Sequence, residues 1–312
     1  MSEEVGSVSI GPRAHANTSS DGHASRLIAR RVLFERLSTG GPGGVTLVSA
    51  PPGTGKTVLL RSWIEDAGLA GGVAWVTVER GEQDPQRFWL AVVDALRAAA
   101  GANAFVEKLA PSPDFDGAAT IDRLVSELSS LEEPVVLVID DLHELSSREA
   151  CGQLETLLAR RPPLLRVILA TRRDPQLGLH RLRLAGQLLE IREADLRFTV
   201  GEARDLFASA GVELSDAAAA QLHARTEGWA AGLRLAALSL AGHPDPDRFV
   251  ASFSGSERAV ADYLFAEVLE RQNEEVKRLL LRTSILDRVN GELADLLLGT
   301  SGSERILHAL AL

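Results

Sequence analysis

One stretch constrains the fold more than any other: Ser49-Ala50-Pro51-Pro52-Gly53-Thr54-Gly55-Lys56-Thr57. The apolar, β-rich run Val45-Thr46-Leu47-Val48 precedes it, and Val58-Leu59-Leu60-Arg61-Ser62-Trp63-Ile64, with helical spacing, follows. Strand, glycine loop and helix form the context in which a phosphate-binding loop works. After Pro52, which has no N–H of its own, Gly53, Thr54 and Gly55 supply a cradle in which backbone N–H groups turn onto phosphate oxygens, and the helix N-terminus adds its partial positive charge. Lys56 is expected to reach the β- and γ-phosphates of ATP, and the Thr57 hydroxyl to ligate Mg²⁺. Ala50 stands where the usual pattern begins with Gly. The chain holds 30 Arg and only three Lys, Lys56, Lys108 and Lys277. A chain that prefers Arg so strongly keeps a Lys where a compact ammonium must fit under a phosphate.

The second informative stretch is Pro134-Val135-Val136-Leu137-Val138-Ile139-Asp140-Asp141. Five apolar, mostly β-branched residues predict a strand buried on both faces, ending in two carboxylates. Ligands of open α/β sheets sit at the carboxyl ends of strands. Asp140 is therefore placed to hold Mg²⁺, and Asp141 to orient or polarise the attacking water. Leu165-Arg166-Val167-Ile168-Leu169-Ala170-Thr171-Arg172 predicts another buried strand. Arg172 at its end is either a sensor of the γ-phosphate or a surface arginine beside Arg173.

The 312 residues suffice for one large domain and one or two small ones, and 45% hydrophobic residues can bury a substantial core. A net charge of −10 does not favour a polyanionic partner. The single cysteine, Cys151, excludes an internal disulfide and suits a reducing compartment; it reads as a small buried hydrophobe on a helix. No apolar signal-peptide core and no run long enough to span a membrane is present, so a soluble, cytoplasmic protein is expected. The seven histidines are scattered and suggest no metal cluster.

Residues 1–25, rich in Ser, Gly and His, read as a mobile tail. Strands at 73–78 and 187–191 and helices after Asp84-Pro85 and at 118–131 complete an α/β pattern over 26–195 that predicts a parallel sheet covered on both faces. From Leu196 strand signals vanish, and helices are expected at 200–210, 215–226, 229–240, 256–269 and 274–283, with Thr199 and Ser215 as N-caps. The break Gly242-His243-Pro244-Asp245-Pro246 reads as a linker between a small helical domain, 196–243, and a second helical module, 244–312. Leu312 falls inside an amphipathic helix and looks like a cut.

The guanine-reading Asn-Lys-x-Asp and the transporter-type Leu-Ser-Gly-Gly-Gln motifs are absent. From Leu27 to Leu312 the chain resembles the ATPase module of MalT-type regulators, the LuxR-class activators among the STAND signal-transduction ATPases. The resemblance rests on Leu27-Ile28-Ala29-Arg30, the phosphate loop, Asp84-Pro85-Gln86-Arg87-Phe88-Trp89 and Val138-Ile139-Asp140-Asp141-Leu142-His143. It continues through Thr171-Arg172-Arg173-Asp174-Pro175, Glu227-Gly228-Trp229-Ala230-Ala231-Gly232-Leu233 and Asp262-Tyr263-Leu264.

That resemblance implies a P-loop NTPase domain, a helical lid and a truncated winged-helix domain. It implies a switch in which ADP holds a closed form and ATP, with an inducer, opens it and drives self-association. It places Ile28, Arg30 and Trp229 among the nucleotide-contacting residues; a core aromatic of the lid is the other reading of Trp229. The sensor and helix-turn-helix domains of full-length members are absent from this chain, so DNA contact is expected only through such a domain. The supposed winged-helix segment, 256–312, has ten acidic against seven basic residues, net −3, with no basic stripe. A P-loop kinase acting on a small substrate is the alternative, though no acceptor pocket is visible beyond the two Asp. An AAA+-type ring motor is a weaker third reading.

Overall fold

A computed structural model describes residues 28–41, 43–99, 115–252, 262–263, 265–270, 272–286 and 289–311. The tail expected at 1–25 and the opening part of the helix expected at 256–269 lie outside the described residues.

Five parallel strands form one sheet: β1 (Val45–Ser49), β2 (Val73–Thr77), β3 (Val135–Asp140), β4 (Leu165–Thr171) and β5 (Leu188–Arg192), in the order β2-β3-β4-β1-β5. The three inner strands are buried along their whole length, which is why they read as unbroken apolar runs. Their side chains alternate between two cores. Leu47, Leu137, Val167 and Leu169 pack with α3 (Pro85–Ala98), α4 (Gly117–Leu128) and α5 (Arg148–Arg160). Val48, Val138 and Ile168 pack with α1 (Arg31–Thr39) and α2 (Lys56–Asp66).

After α6 (His180–Leu184) and β5, the short α7 (Glu193–Leu196) leads into a helical unit: α8 (Val200–Ser209), α9 (Asp216–Thr226), α10 (Ala230–Leu240) and α11 (Pro246–Ser252). Phe207, Leu222, Leu233 and Val250 share its core. Thr199 caps α8 in a reciprocal box with Glu202, and the Ser215 hydroxyl accepts from Ala218 N. The Gly-His-Pro-Asp-Pro break is a tight turn rather than a linker. Arg248 N donates to Asp245 Oδ1, and the helix it starts, α11, buries Val250 against the lid while Arg225 donates to Val250 O at 2.6 Å. The helical unit thus continues past 243 to Ser252. Then come α12 (Glu274–Thr283), α13 (Gly291–Leu298) and α14 (Ser303–Ala311). Among the described residues no helix is long and apolar enough to cross a membrane.

Candidate functional site

The sheet delivers the site at the carboxyl ends of β1, β3 and β4. β1 runs straight into the phosphate loop, which turns through positive φ at Gly53 (74°) and Gly55 (86°), and α2 starts at Lys56. At Gly53 a side chain is excluded twice over: a Cβ would stand 2.7 Å from the Tyr263 hydroxyl and 2.8 Å from the Trp229 ring. Thr54 Oγ1 donates to Pro51 O at 2.9 Å. Lys56 Nζ donates to Ala50 O at 2.7 Å and Pro51 O at 3.0 Å, which leaves one of its three donors for a phosphate oxygen.

Thr57 Oγ1 donates to Asp140 Oδ2 at 2.8 Å, so a hydroxyl and a carboxylate meet at the start of α2. Asp140 is 2% exposed. Burial raises its pKa, partly offset by the Thr57 hydrogen bond. Two hard oxygens side by side fit Mg²⁺, which prefers few protein ligands and fills its shell with phosphate oxygens and water. Among the described residues no group of three or more His, Cys, Asp or Glu forms a metal site without such help. Asp141 adopts the left-handed conformation (φ 53°, ψ 36°), one of two non-glycine residues with positive φ among those described. Asp tolerates this region better than most side chains. Arg172 directly follows β4, half-buried, with its charge acting on both Lys56 and His143.

The lid reaches the same loop. Two successive left-handed residues, Glu227 (φ 51°) and Gly228 (φ 72°), end α9 and turn the chain into Trp229. A Cβ at Gly228 would stand 2.5 Å from Phe198 O, so the turn closes against the start of the lid. Trp229 Nε1 then donates to Pro52 O at 3.2 Å, and Ala231 N donates to Gly53 O at 2.9 Å. The Trp229 ring meets Tyr263 edge-on, with centroids 5.6 Å apart. Trp229 is therefore a contact between lid and phosphate loop, not a core aromatic of the lid.

A largely apolar cavity of about 390 Å³ opens between the loop, α2 and the lid, lined by Ile28, Arg30, Gly55, Phe198 and Arg234 among others. Arg30 lines it with its flank only. Its guanidinium donates to Leu196 O (2.7 Å), Arg197 O (2.8 Å) and Glu202 Oε1 (3.1 Å) and lies 4.6 Å from the Phe198 ring centre. The charge of Arg30 thus clamps the entry of the chain to the lid instead of facing the cavity.

A family model described as AAA ATPase domain matches residues 29–170, and one described as MalT winged helix domain matches 265–311. The chain joins an AAA ATPase domain to a MalT winged helix domain. It is homologous to MalT regulators: over 265 residues it is 31% identical to the HTH-type transcriptional regulator MalT of Serratia proteamaculans, covering 83% of this chain and 29% of that protein. It is also 31% identical over 263 residues to the serine/threonine-protein kinase PknK of Mycobacterium tuberculosis, covering 83% of this chain and 24% of that one. The chain therefore spans less than a third of the length of either relative. Among solved structures, the Walker-type ATPase PABY2304 of Pyrococcus abyssi superposes with a TM-score of 0.60 at 16% identity, over 95% of this chain and 91% of that one. A STAND protein with a tetratricopeptide repeat sensor, PH0952 of Pyrococcus horikoshii, superposes at 0.50 and 18% identity, over 88% and 37%. At those identities the likeness establishes the P-loop NTPase fold.

Several contributors were not singled out by residue type. Ser49 Oγ donates to Asp174 Oδ1 at 2.9 Å, and Arg192 ties Asp174 to Glu190, so the strand end beneath the loop is braced by an ionic network. Hydrogen bonds from Arg183, partly opposed by burial, bring the Glu190 carboxyl down to about 2. Tyr263 belongs to a stretch noted for its resemblance alone, and His143 to the motif that carries the two aspartates.

Lys56 gives a pH prediction. Burial first, then the Arg172 charge, lowers its pKa to about 8, while Asp141 and Asp140 oppose the shift. Between that value and the unfolded 10.5 the folded chain binds fewer protons, so folding gains stability as pH rises through this window. Binding runs the other way, because a phosphate needs the ammonium. Nucleotide affinity is expected to fall as pH rises from about 7 to about 9 by titration calorimetry, and a Lys56→Ala variant should lose that part of the dependence.

Proposed function

We propose that the chain is a nucleotide-controlled switch: ADP holds the lid on the phosphate loop, ATP releases it, and slow Mg²⁺-dependent hydrolysis resets it. The observation that carries this is the pair of hydrogen bonds from the lid, Trp229 Nε1 and Ala231 N, to the carbonyls of Pro52 and Gly53. These bonds couple the lid to the loop that cradles phosphates, so a nucleotide that binds the open and closed arrangements unequally shifts the lid. In this reading Lys56 and the loop amides bind the phosphates, Ile28 and the cavity hold the base, and Thr57 with Asp140 holds Mg²⁺. When bound there, the ion would supply positive charge to neutralise the phosphates. Asp141 positions the attacking water.

The three units assigned to the switch are the nucleotide domain from 26 to 195, the lid from 196 with α11 at its end, and the winged-helix segment, which reaches the loop through Tyr263. A region shared by proteins named as a transcriptional regulator and as a protein kinase fits a module that couples to different outputs. Self-association in the ATP form belongs to the same proposal.

Hydrogen–deuterium exchange over 229–233 tests it. Exchange is expected to be slow with ADP and faster with a non-hydrolysable ATP analogue; equal exchange in both would rule the switch out. Arg172 gives a second check. As a γ-phosphate sensor it makes a charge-assisted bond that ADP cannot offer, so Arg172→Ala should shrink the ATP-to-ADP affinity ratio by about tenfold. An unchanged ratio returns Arg172 to the surface-arginine reading.

A further inference from the structure

Among the described residues, His143 presents a largely buried ring at the site whose two nitrogens are idle. Its side chain is 10% exposed, and neither ring nitrogen has a hydrogen-bond partner. Nδ1 lies 3.9 Å from Asp141 Oδ1, and Nε2 lies 3.5 Å from Glu144 Oε1. The charges of Arg172 and Lys56 also act on the ring. Buried polar side chains are almost always paired, so a ring held just short of two carboxylates is organised for a bond that a small movement completes.

The two carboxylates are not equivalent. Glu144 already accepts from Gly81 N at 3.2 Å. Among the described residues the Asp141 carboxylate accepts no hydrogen bond, although Asp141 is held in a left-handed turn that brings it back toward the ring. A neutral imidazole has a single N–H to give.

We propose that His143 is the positioning residue for Asp141: with ATP bound, its Nδ1–H donates to the Asp141 carboxylate and sets that carboxylate's aim. The proposal rests on the water-positioning reading of Asp141. Aim alters the rate of hydrolysis and not the hold on nucleotide, so kcat and affinity should separate.

Single-turnover hydrolysis and ATP affinity are measured for the parent and for His143→Ala, His143→Asn, His143→Gln, Asp141→Asn and the His143→Ala/Asp141→Asn double variant. His143→Ala should slow hydrolysis roughly tenfold or more, the worth of one hydrogen bond to a charged group, with ATP affinity within about twofold. His143→Asn, whose amide N–H replaces Nδ1–H, should recover part of the rate; His143→Gln should not. The double variant should be no slower than Asp141→Asn alone. Nitrogen-15 spectra of labelled histidine, assigned by loss of the signal in His143→Asn, should show a protonated Nδ1 on loading with Mg·ADP and fluoroaluminate, and should lose that protonation pattern in Asp141→Asn.

Parent-rate hydrolysis by a folded His143→Ala protein, while Asp141→Asn is slow, overturns this inference and leaves Asp141 in its role. Parent-rate hydrolysis by both removes the role of Asp141 and the inference with it. Loss of affinity equal to the loss of rate marks a structural residue and also overturns the proposal. If His143→Ala does not fold, the Asn and Gln variants and the spectra decide.

Discussion

Lys56→Ala is expected to lose about 100-fold or more in affinity for both ATP and ADP, because the ammonium makes charge-assisted bonds to phosphate oxygens in a partly desolvated loop. The fold should survive. Among the described residues Lys56 Nζ bonds only carbonyls of its own loop, Ala50 and Pro51, and burial lowers its pKa to about 8, so the charged form is held there at a cost to folding. Removing it relieves that cost, and the melting temperature should stay level or rise. Lys56→Arg should also bind poorly, since a planar fork does not fit where two loop carbonyls already fix a compact head. Titration calorimetry on the folded variants decides; unchanged affinity would take Lys56 out of the site.

Asp141→Asn is expected to slow hydrolysis by ~10²–10⁴-fold, the usual worth of a water-positioning or general-base group, while nucleotide affinity changes little. The substitution is well matched to the backbone, because Asn accepts the left-handed conformation of this position (φ 53°) as readily as Asp. Asp140→Ala should behave differently. It removes the oxygen that meets Thr57 Oγ1 at 2.8 Å, so Mg²⁺-dependent binding should fall and the Mg²⁺-independent part should remain. A single-turnover assay separates the two, and parent-rate hydrolysis by Asp141→Asn would remove its assigned role.

Much of this was legible in the sequence, for local reasons. The phosphate loop and the acid pair are short-range patterns, and inner strands such as Val135–Asp140 announce themselves because both faces are buried. The helix α5 was equally readable, with Ser147 as its cap and Leu154, Leu157 and Leu158 at helical spacing, yet a motif-led reading passes from one strand to the next over it. Other features were hidden because they are tertiary. Nothing local ties Arg30 to carbonyls at 196 and 197, or the Trp229 indole to Pro52 O. The Gly-His-Pro-Asp-Pro stretch reads as a linker by composition, but the burial of Val250 against the lid outweighs it. The idle nitrogens of His143 follow from distances that no spacing rule contains.

The position of β1 governs the order in which the molecule can be built. β1 carries the phosphate loop, but its neighbours are β4 and β5, and its successor in the chain, β2, pairs with β3 instead. A chain emerging from the ribosome therefore holds its nucleotide loop on a strand without a sheet until Thr171 has been made, and without its second partner until Arg192. Folding of the site waits on these long-range pairings, which are slow to form and leave apolar strand edges open meanwhile. A fragment stopped after α5 would carry every residue of the phosphate loop and both aspartates, and should still fail to assemble the pocket.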